Sequence, residues 1–210
     1  FFKSAMSETL ADKNMNPGYE IHNLYSQWSC EKIGVLISGN VMVDRRYLGE
    51  PGNIVLDDKS DMNAFRKWAE VGNGKNTPIW LQLNHPGKQM YKTIKAQPVA
   101  PSAIPIQGGN AKAFKVPRAM TKYEVEDAIN KFVAAGLKAK EAGFTGVQLH
   151  AAHGYLINQF LSPADNHRKD EFGGSLENRM RFLVEIYKRL RNKVGSNFTI
   201  ALKLNALDFK

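Results

Sequence analysis

Two histidines and a tyrosine crowd into the six-residue run His150-Ala151-Ala152-His153-Gly154-Tyr155, the densest chemistry in the chain. Histidines three apart on a turn can converge on one small target. On spacing alone the pair also fits a zinc site, since imidazole suits zinc, or a purely structural role. No obvious third ligand stands nearby, and the single cysteine, Cys30, is far away in sequence. Elsewhere, isolated polar positions interrupt apolar runs: Gly39-Asn40, Gln82 and Lys203 each fall at or near the end of a β-rich segment. A side-chain amide at the end of a buried strand must find partners or cost roughly 1 to 3 kcal/mol. Gln82 is therefore a candidate ligand contact, and Lys203 is another, with pairing to a core carboxylate such as Asp208 as the alternative.

Such residues need a frame that gathers strand ends together. Short apolar runs at residues 34–38, 79–83, 146–150 and 198–204 read as strands, with residues 1–6 as a further candidate at the edge. Between them, Met62, Phe65, Trp68 and Ala69 keep helical spacing. Thr121 and Glu124 form a capping box ahead of Val125, Ala128, Ile129 and Phe132, which predicts a helix over 121–143. A third helix is predicted from about Ser175 to the stop signal Gly195. About five βα units in order imply a parallel sheet, either doubly wound or closed as a (β/α)₈ barrel. Polar residues at the C-terminal ends of the strands favour the barrel, which collects its working groups on that rim. The G-x-G-x-x-G turn of dinucleotide-binding sheets is absent. The expected fold is an incomplete TIM barrel forming one domain over residues 1–210.

The stretch from about residue 84 to 120 breaks the alternation with Pro86, Pro98, Pro101, Pro105, Pro117 and Gly108-Gly109. A connection that long inside a compact domain is usually functional, and its place after the third strand predicts a cap over the pocket.

Composition limits the classes of function. With 43% hydrophobic and 23% charged residues, the 210-residue chain can bury a sizeable core. The formal charge of +9 is spread through groups such as Arg45-Arg46 and Lys188-Arg189-Leu190-Arg191. That dispersal predicts a solvated face, not a nucleic-acid partner, while a basic excess also suits a phosphate-bearing cofactor. No run approaches the roughly 20 apolar residues of a membrane helix, and no signal-peptide pattern opens the chain. A cytoplasmic protein without a membrane partner is expected. Cys30, alone, excludes internal disulfides and multi-cysteine metal clusters.

The motif around the histidines extends well beyond them. Leu149-His150-Ala151-Ala152-His153-Gly154-Tyr155-Leu156 is followed by Gln159-Phe160-Leu161-Ser162-Pro163, then Asn166-His167-Arg168-Lys169-Asp170-Glu171-Phe172-Gly173-Gly174-Ser175 and Glu177-Asn178-Arg179. Lys3-Ser4-Ala5-Met6-Ser7-Glu8, Gln82-Leu83-Asn84-His85-Pro86-Gly87, Ala100-Pro101-Ser102-Ala103 and Lys203-Leu204-Asn205 complete the pattern. Together they resemble the NADH:flavin oxidoreductase, or old yellow enzyme, family over practically the whole chain.

That resemblance implies bound FMN across the barrel mouth, with NADH or NADPH as donor and a small electrophile as acceptor. Position by position, it implies that Ala5, Met6 and Ser7 line the flavin and that Gly39 permits its close approach. Gln82 would bond the pyrimidine edge, and Lys203 would lie near N1 and O2. His150 and His153 would hold the oxygen of an activated alkene while Tyr155 delivers a proton. Arg168 and Asp170 are expected to brace a loop in which Asp165, His167 and Lys169 are ordinary exposed residues. Departures from the family pattern are Thr9 in place of a second pocket tyrosine, Lys88 after His-Pro-Gly, and Lys203 itself, both lysines standing where arginine is common. An ending after the fifth strand implies a chain without the usual phosphate grip of the later βα loops. The alternative expectation is thus a catalytically silent fragment that does not retain FMN.

Overall fold

The computed structural model describes residues 1–31, 33–74 and 76–207. Its strands and helices run in the order β1 (Phe2–Lys3), α1 (Tyr19–Ser29), β2 (Val35–Met42), β3 (Ile54–Val55), α2 (Met62–Asn73) and β4 (Ile79–Asn84). There follow β5 (Val99–Ala100), β6 (Arg118–Ala119), α3 (Lys122–Glu141), β7 (Gly146–Ala151), α4 (Leu156–Leu161), α5 (Leu176–Val194) and β8 (Thr199–Leu204). The main sheet has the spatial order β1-β2-β4-β7-β8, every neighbouring pair parallel, with β3 beside the end of β2. Spatial order follows chain order, as it does in a TIM barrel, and the sheet is an arc of five such strands with helices on one face.

Local signals explain most of these elements. Thr121 accepts from the Glu124 N–H while the Glu124 carboxylate reaches back to the Thr121 N–H, so the capping box that predicts α3 is formed. Ser175 accepts from the Asn178 N–H at the start of α5, and Gly195, at φ 77°, ends it. Where α3 crosses α5, a Cβ on Gly136 would stand 2.6 Å from Leu190, so the close approach of the helices depends on the missing side chain. The first strand is shorter than expected, pairing only Phe2 with Val35 and Lys3 with Leu36. Helices α1 and α4, and the two-residue strands β3, β5 and β6, carry no clear signal in the sequence.

β2 departs most from expectation. It continues to Met42, so Gly39-Asn40 lies inside the strand and not beyond its end. Its register with β4 shifts between Ile37 and Asn40. There the Ser38 hydroxyl accepts from the Gln82 N–H at 2.9 Å and donates to the Gly39 carbonyl at 2.8 Å, taking over ladder bonds that the irregularity interrupts.

The core lies between the sheet and the helices. Leu36, Val41, Leu81, Leu83, Val147 and Leu149 meet Phe65, Trp68, Phe132 and Phe144 there, all buried. Each such side chain contributes roughly 1.5 to 3 kcal/mol of transfer free energy. On β8 the corresponding positions are open, with Leu202 46% and Leu204 58% exposed. Among the described residues, no helix is long and apolar enough to cross a membrane.

Candidate active site

The face of the sheet opposite the core is polar. Register sets Asn40 beside Gln82 and Gln82 beside Gln148, while His150 pairs with Lys203. Gln82, whose amide demanded a partner, donates from Nε2 to Gln148 Oε1 at 2.7 Å. Asn84 Nδ2 donates to Asn40 Oδ1 at 3.1 Å, leaving the buried Asn84 Oδ1 without a partner in the structure. Side-chain amides thus line the inner face just below the histidines.

His150, the fifth residue of β7, is buried. Its Nδ1 accepts from the Ala152 N–H at 3.3 Å, which places the ring proton on Nε2. Burial, then the nearby His153 and Lys203, depresses its pKa to about 3, so the ring is neutral near pH 7. The His150 ring packs edge-on against His153 at 5.1 Å between centroids and against Tyr155 at 4.7 Å. His153 takes φ 59°, a left-handed conformation that is strained for a residue with a side chain. Two side chains hold it there: Asn205 Oδ1 accepts from its N–H at 2.9 Å, and Gln89 Nε2 donates to its carbonyl. Burial and Lys203 also lower the His153 pKa. Tyr155 occupies the N-cap position of α4. Burial and the Glu50 charge push its pKa up, against the opposing effect of a hydrogen bond with Asn40.

Lys203 is half-buried beside both histidines, and no carboxylate among the described residues pairs with it. Asp208, its alternative partner, lies outside the described residues. Ala5 is half-buried, Ser7 is exposed, and Met6 is 62% exposed, so Met6 is not packed as a core residue. The Ser7 hydroxyl donates to Glu50.

Gly39 has a tenant that its sequence context did not reveal. A Cβ there would lie 2.1 Å from Glu8 Oε2 and 2.3 Å from the Met6 carbonyl. The Glu8 carboxylate accepts from the Gly39 N–H at 3.0 and 3.1 Å, from the Tyr25 hydroxyl at 2.7 Å and from Lys3 Nζ at 3.3 Å. This clamp fixes the 5–7 segment against β2. Glu8 stands within the Lys3–Glu8 motif with no role expected of it, because two of its partners, Tyr25 and Gly39, lie elsewhere in the chain.

Two turns back the rim. Gln159 accepts from the Lys88 N–H and donates to the carbonyls of Pro86 and Gly154, tying the loop after β4 to the turn after β7. Asp165 is not the exposed loop residue that its neighbourhood suggests. It is buried and pairs with Lys88 Nζ at 2.7 Å. Arg168 does brace its loop, bonding Asp170 and donating to the Met120 carbonyl at 2.6 Å. Among the described residues, no group of three or more His, Cys, Asp or Glu side chains is placed to hold a metal ion.

The residues fit a planar, hydrogen-bonding cofactor such as FMN. A half-buried ammonium that meets no carboxylate among the described residues, an inner amide and an open floor at Met6 offer the charge, the donors and the surface that such a group needs.

Comparison with known proteins agrees with this chemistry. The family model described as the NADH:flavin oxidoreductase / NADH oxidase family matches residues 3–209. The NADH-dependent flavin oxidoreductase iliE of Hypocrea jecorina is 35% identical over 98% of this chain and 56% of its own length. An NADPH dehydrogenase of Clostridium acetobutylicum is 44% identical over 63% of this chain and 38% of its own length. The solved old yellow enzyme homologue from Zymomonas mobilis superposes with a TM-score of 0.89 at 29% identity, over 97% of this chain and 58% of that one. The chain therefore spans about half the length, or less, of these relatives.

Proposed function

The chain belongs to the NADH:flavin oxidoreductase / NADH oxidase family, and on that premise we propose that its polar rim serves the reduction of activated C=C bonds, in enones, nitro-activated alkenes or related electrophiles. The observation that carries this reading is the meeting of two imidazoles, held neutral, with a phenol held protonated. NADH or NADPH is the donor, in keeping with the names of the relatives.

Bound FMN would supply the hydride at its N5. His150 donates from Nε2, together with His153, to the carbonyl or nitro oxygen of the substrate, where negative charge develops. A neutral imidazole donates without introducing a charge of its own, and burial makes its dipole count for more than it would in water. Tyr155 passes a proton to the carbon next to the activating group, a role that its raised pKa suits by keeping it protonated. Ala5, Met6 and Ser7 would form the floor for the flavin, in a segment that the Glu8 clamp on Gly39 holds in place. Gln82 would turn its remaining amide capacity to the pyrimidine edge of bound FMN, and Lys203 would supply a cation that stabilises the reduced flavin. The connection over 84–120 caps the site.

The test is spectroscopic. The purified chain is mixed with FMN, freed of excess and examined anaerobically before and after NADPH, then after 2-cyclohexen-1-one. A retained flavin band that bleaches with NADPH and returns with the enone is the expected sequence of events. A protein that emerges colourless sinks the proposal for these 210 residues.

A further inference from the structure

The turn that carries His153 is held by side chains from elsewhere in the fold. His153 and Gly154 are consecutive left-handed residues, at φ 59° and 75°. Glycine takes that conformation freely, whereas a residue with a Cβ takes it against a steric penalty. All four backbone polar groups of the pair go to side-chain amides. The His153 N–H donates to Asn205 Oδ1 at 2.9 Å, and its carbonyl accepts from Gln89 Nε2. The Gly154 N–H donates to Asn158 Oδ1 at 2.7 Å, and its carbonyl accepts from Gln159 Nε2 at 2.6 Å. Asn205 Nδ2 also donates to Asn158 Oδ1 at 3.1 Å, which joins two members of this cradle.

The left-handed backbone brings the His153 imidazole edge-on to that of His150, with centroids 5.1 Å apart and planes at 76°. In an extended or right-handed conformation the Cα–Cβ bond of His153 would leave the backbone in another direction, and the two rings would no longer meet. Being uncharged, the amides hold the turn without a carboxylate that would draw a proton onto either imidazole. They come from three parts of the chain: Gln89 from the loop after β4, Asn158 and Gln159 from α4, and Asn205 from the position directly after β8. Asn205 stands two residues beyond Lys203, so the strand proposed to bring a cation to the flavin also fixes the backbone of the substrate-side imidazole.

We infer that Asn205 is a positioning residue, which fixes the left-handed turn that aims the His153 ring, together with His150, at the substrate oxygen. The inference rests on the proposed reductase reading for the identity of that substrate. Asn205 acts through the backbone of His153, whose N–H it binds, and Asn158 steadies it from α4. A glycine at position 153 would adopt the turn without strain, so the strained conformation is retained for the imidazole that it places.

Asn205→Ala in the full chain, alone and combined with His153→Ala, tests this. Asn205 is half-buried at the end of β8 and alanine is smaller, so folding should survive, and a urea midpoint close to that of the wild type checks that. Ring placement is read without flavin, by NMR, as nuclear Overhauser contacts between the imidazole protons of His150 and His153. Reduction of 2-cyclohexen-1-one is measured separately on FMN-loaded protein. The contacts should be present in the wild type and lost in Asn205→Ala, while kcat/KM for the enone falls roughly tenfold to a hundredfold, the scale of a 1 Å misplacement. Added to His153→Ala, the same substitution should cause no further loss, since no ring remains to be aimed. A general loosening of the structure would instead give two losses that multiply. Contacts that persist in Asn205→Ala overturn the inference, as do losses that multiply in the double variant or an enone kcat/KM that stays unchanged when the contacts are lost. If the substitution abolishes the contacts but the wild type reduces no enone, the reductase reading fails and the positioning of His153 by Asn205 stands.

Discussion

The two faces of β7 obey different rules. Val147, Leu149 and Ala151 enter the core with the helices, while Gln148 and His150, alternating with them, line the polar inner face. The same contrast holds along β4, where Leu81 and Leu83 are core and Gln82 and Asn84 are buried amides. One face stores stability through apolar area removed from water. The other carries buried polar groups that must each find a bond, and among the described residues it keeps unpaired capacity at Asn84 Oδ1 and no carboxylate for Lys203. A period of two along each strand lets one segment serve both ends without compromise.

Substitutions on either side of that divide should part company. Leu149→Ala is expected to lower the unfolding free energy by about 2 to 5 kcal/mol, read from urea denaturation, with any flavin binding lost only as the fold is lost. Tyr155→Phe should do the reverse. Enone reduction drops by roughly a hundredfold or more, whereas the urea midpoint hardly moves. A large loss of stability in Tyr155→Phe would mean that the inner rim is structural and the contrast false.

Acid should act through the buried imidazoles. His85, fully buried with Nδ1 accepting from the Gly87 N–H at 3.1 Å, has its pKa lowered by burial to about 4, and that of His150 falls to about 3. The unfolded chain takes up these protons first, near pH 6.5, so stability present at neutral pH is lost as pH falls toward the folded values. Between pH 7 and pH 5 each histidine should remove on the order of 2 kcal/mol. His85→Asn, which keeps an acceptor for the Gly87 N–H, should flatten the slope, and an unaltered slope would count against the assignment. The smallest effect belongs to Thr121→Ala at the start of α3, about 1 kcal/mol from the lost cap, visible as a modest fall in melting temperature.

Much of the frame was legible because its signals are local. The apolar runs at residues 79–83 and 146–150 correspond to β4 and β7, and the capping box at Thr121 opens α3. The helix α4, Leu156–Leu161, carried no readable signal, since six residues are too few to display a period. The His150, His153 and Tyr155 cluster could be picked out by type and spacing, and the fold brings its members into contact. Asp165 was misread because its loop is rich in charge, and nothing nearby reveals that Lys88, 77 positions away, needs a counterion.

The sequence by itself determined the βα order, the principal helices with their caps, and the family to which the histidine motif belongs. These follow from periodicity, from capping hydrogen bonds within three residues, and from residue types in unbroken runs. Only the tertiary structure decided that Gly39 seats Glu8, that Gln82 bonds Gln148, that His150 carries its proton on Nε2, and that Lys88 is neutralised. The physical reason is distance along the chain. Parallel pairing and burial set partners that lie 31, 66 and 77 positions apart side by side, and the charge, tautomer and hydration of each group depend on those partners.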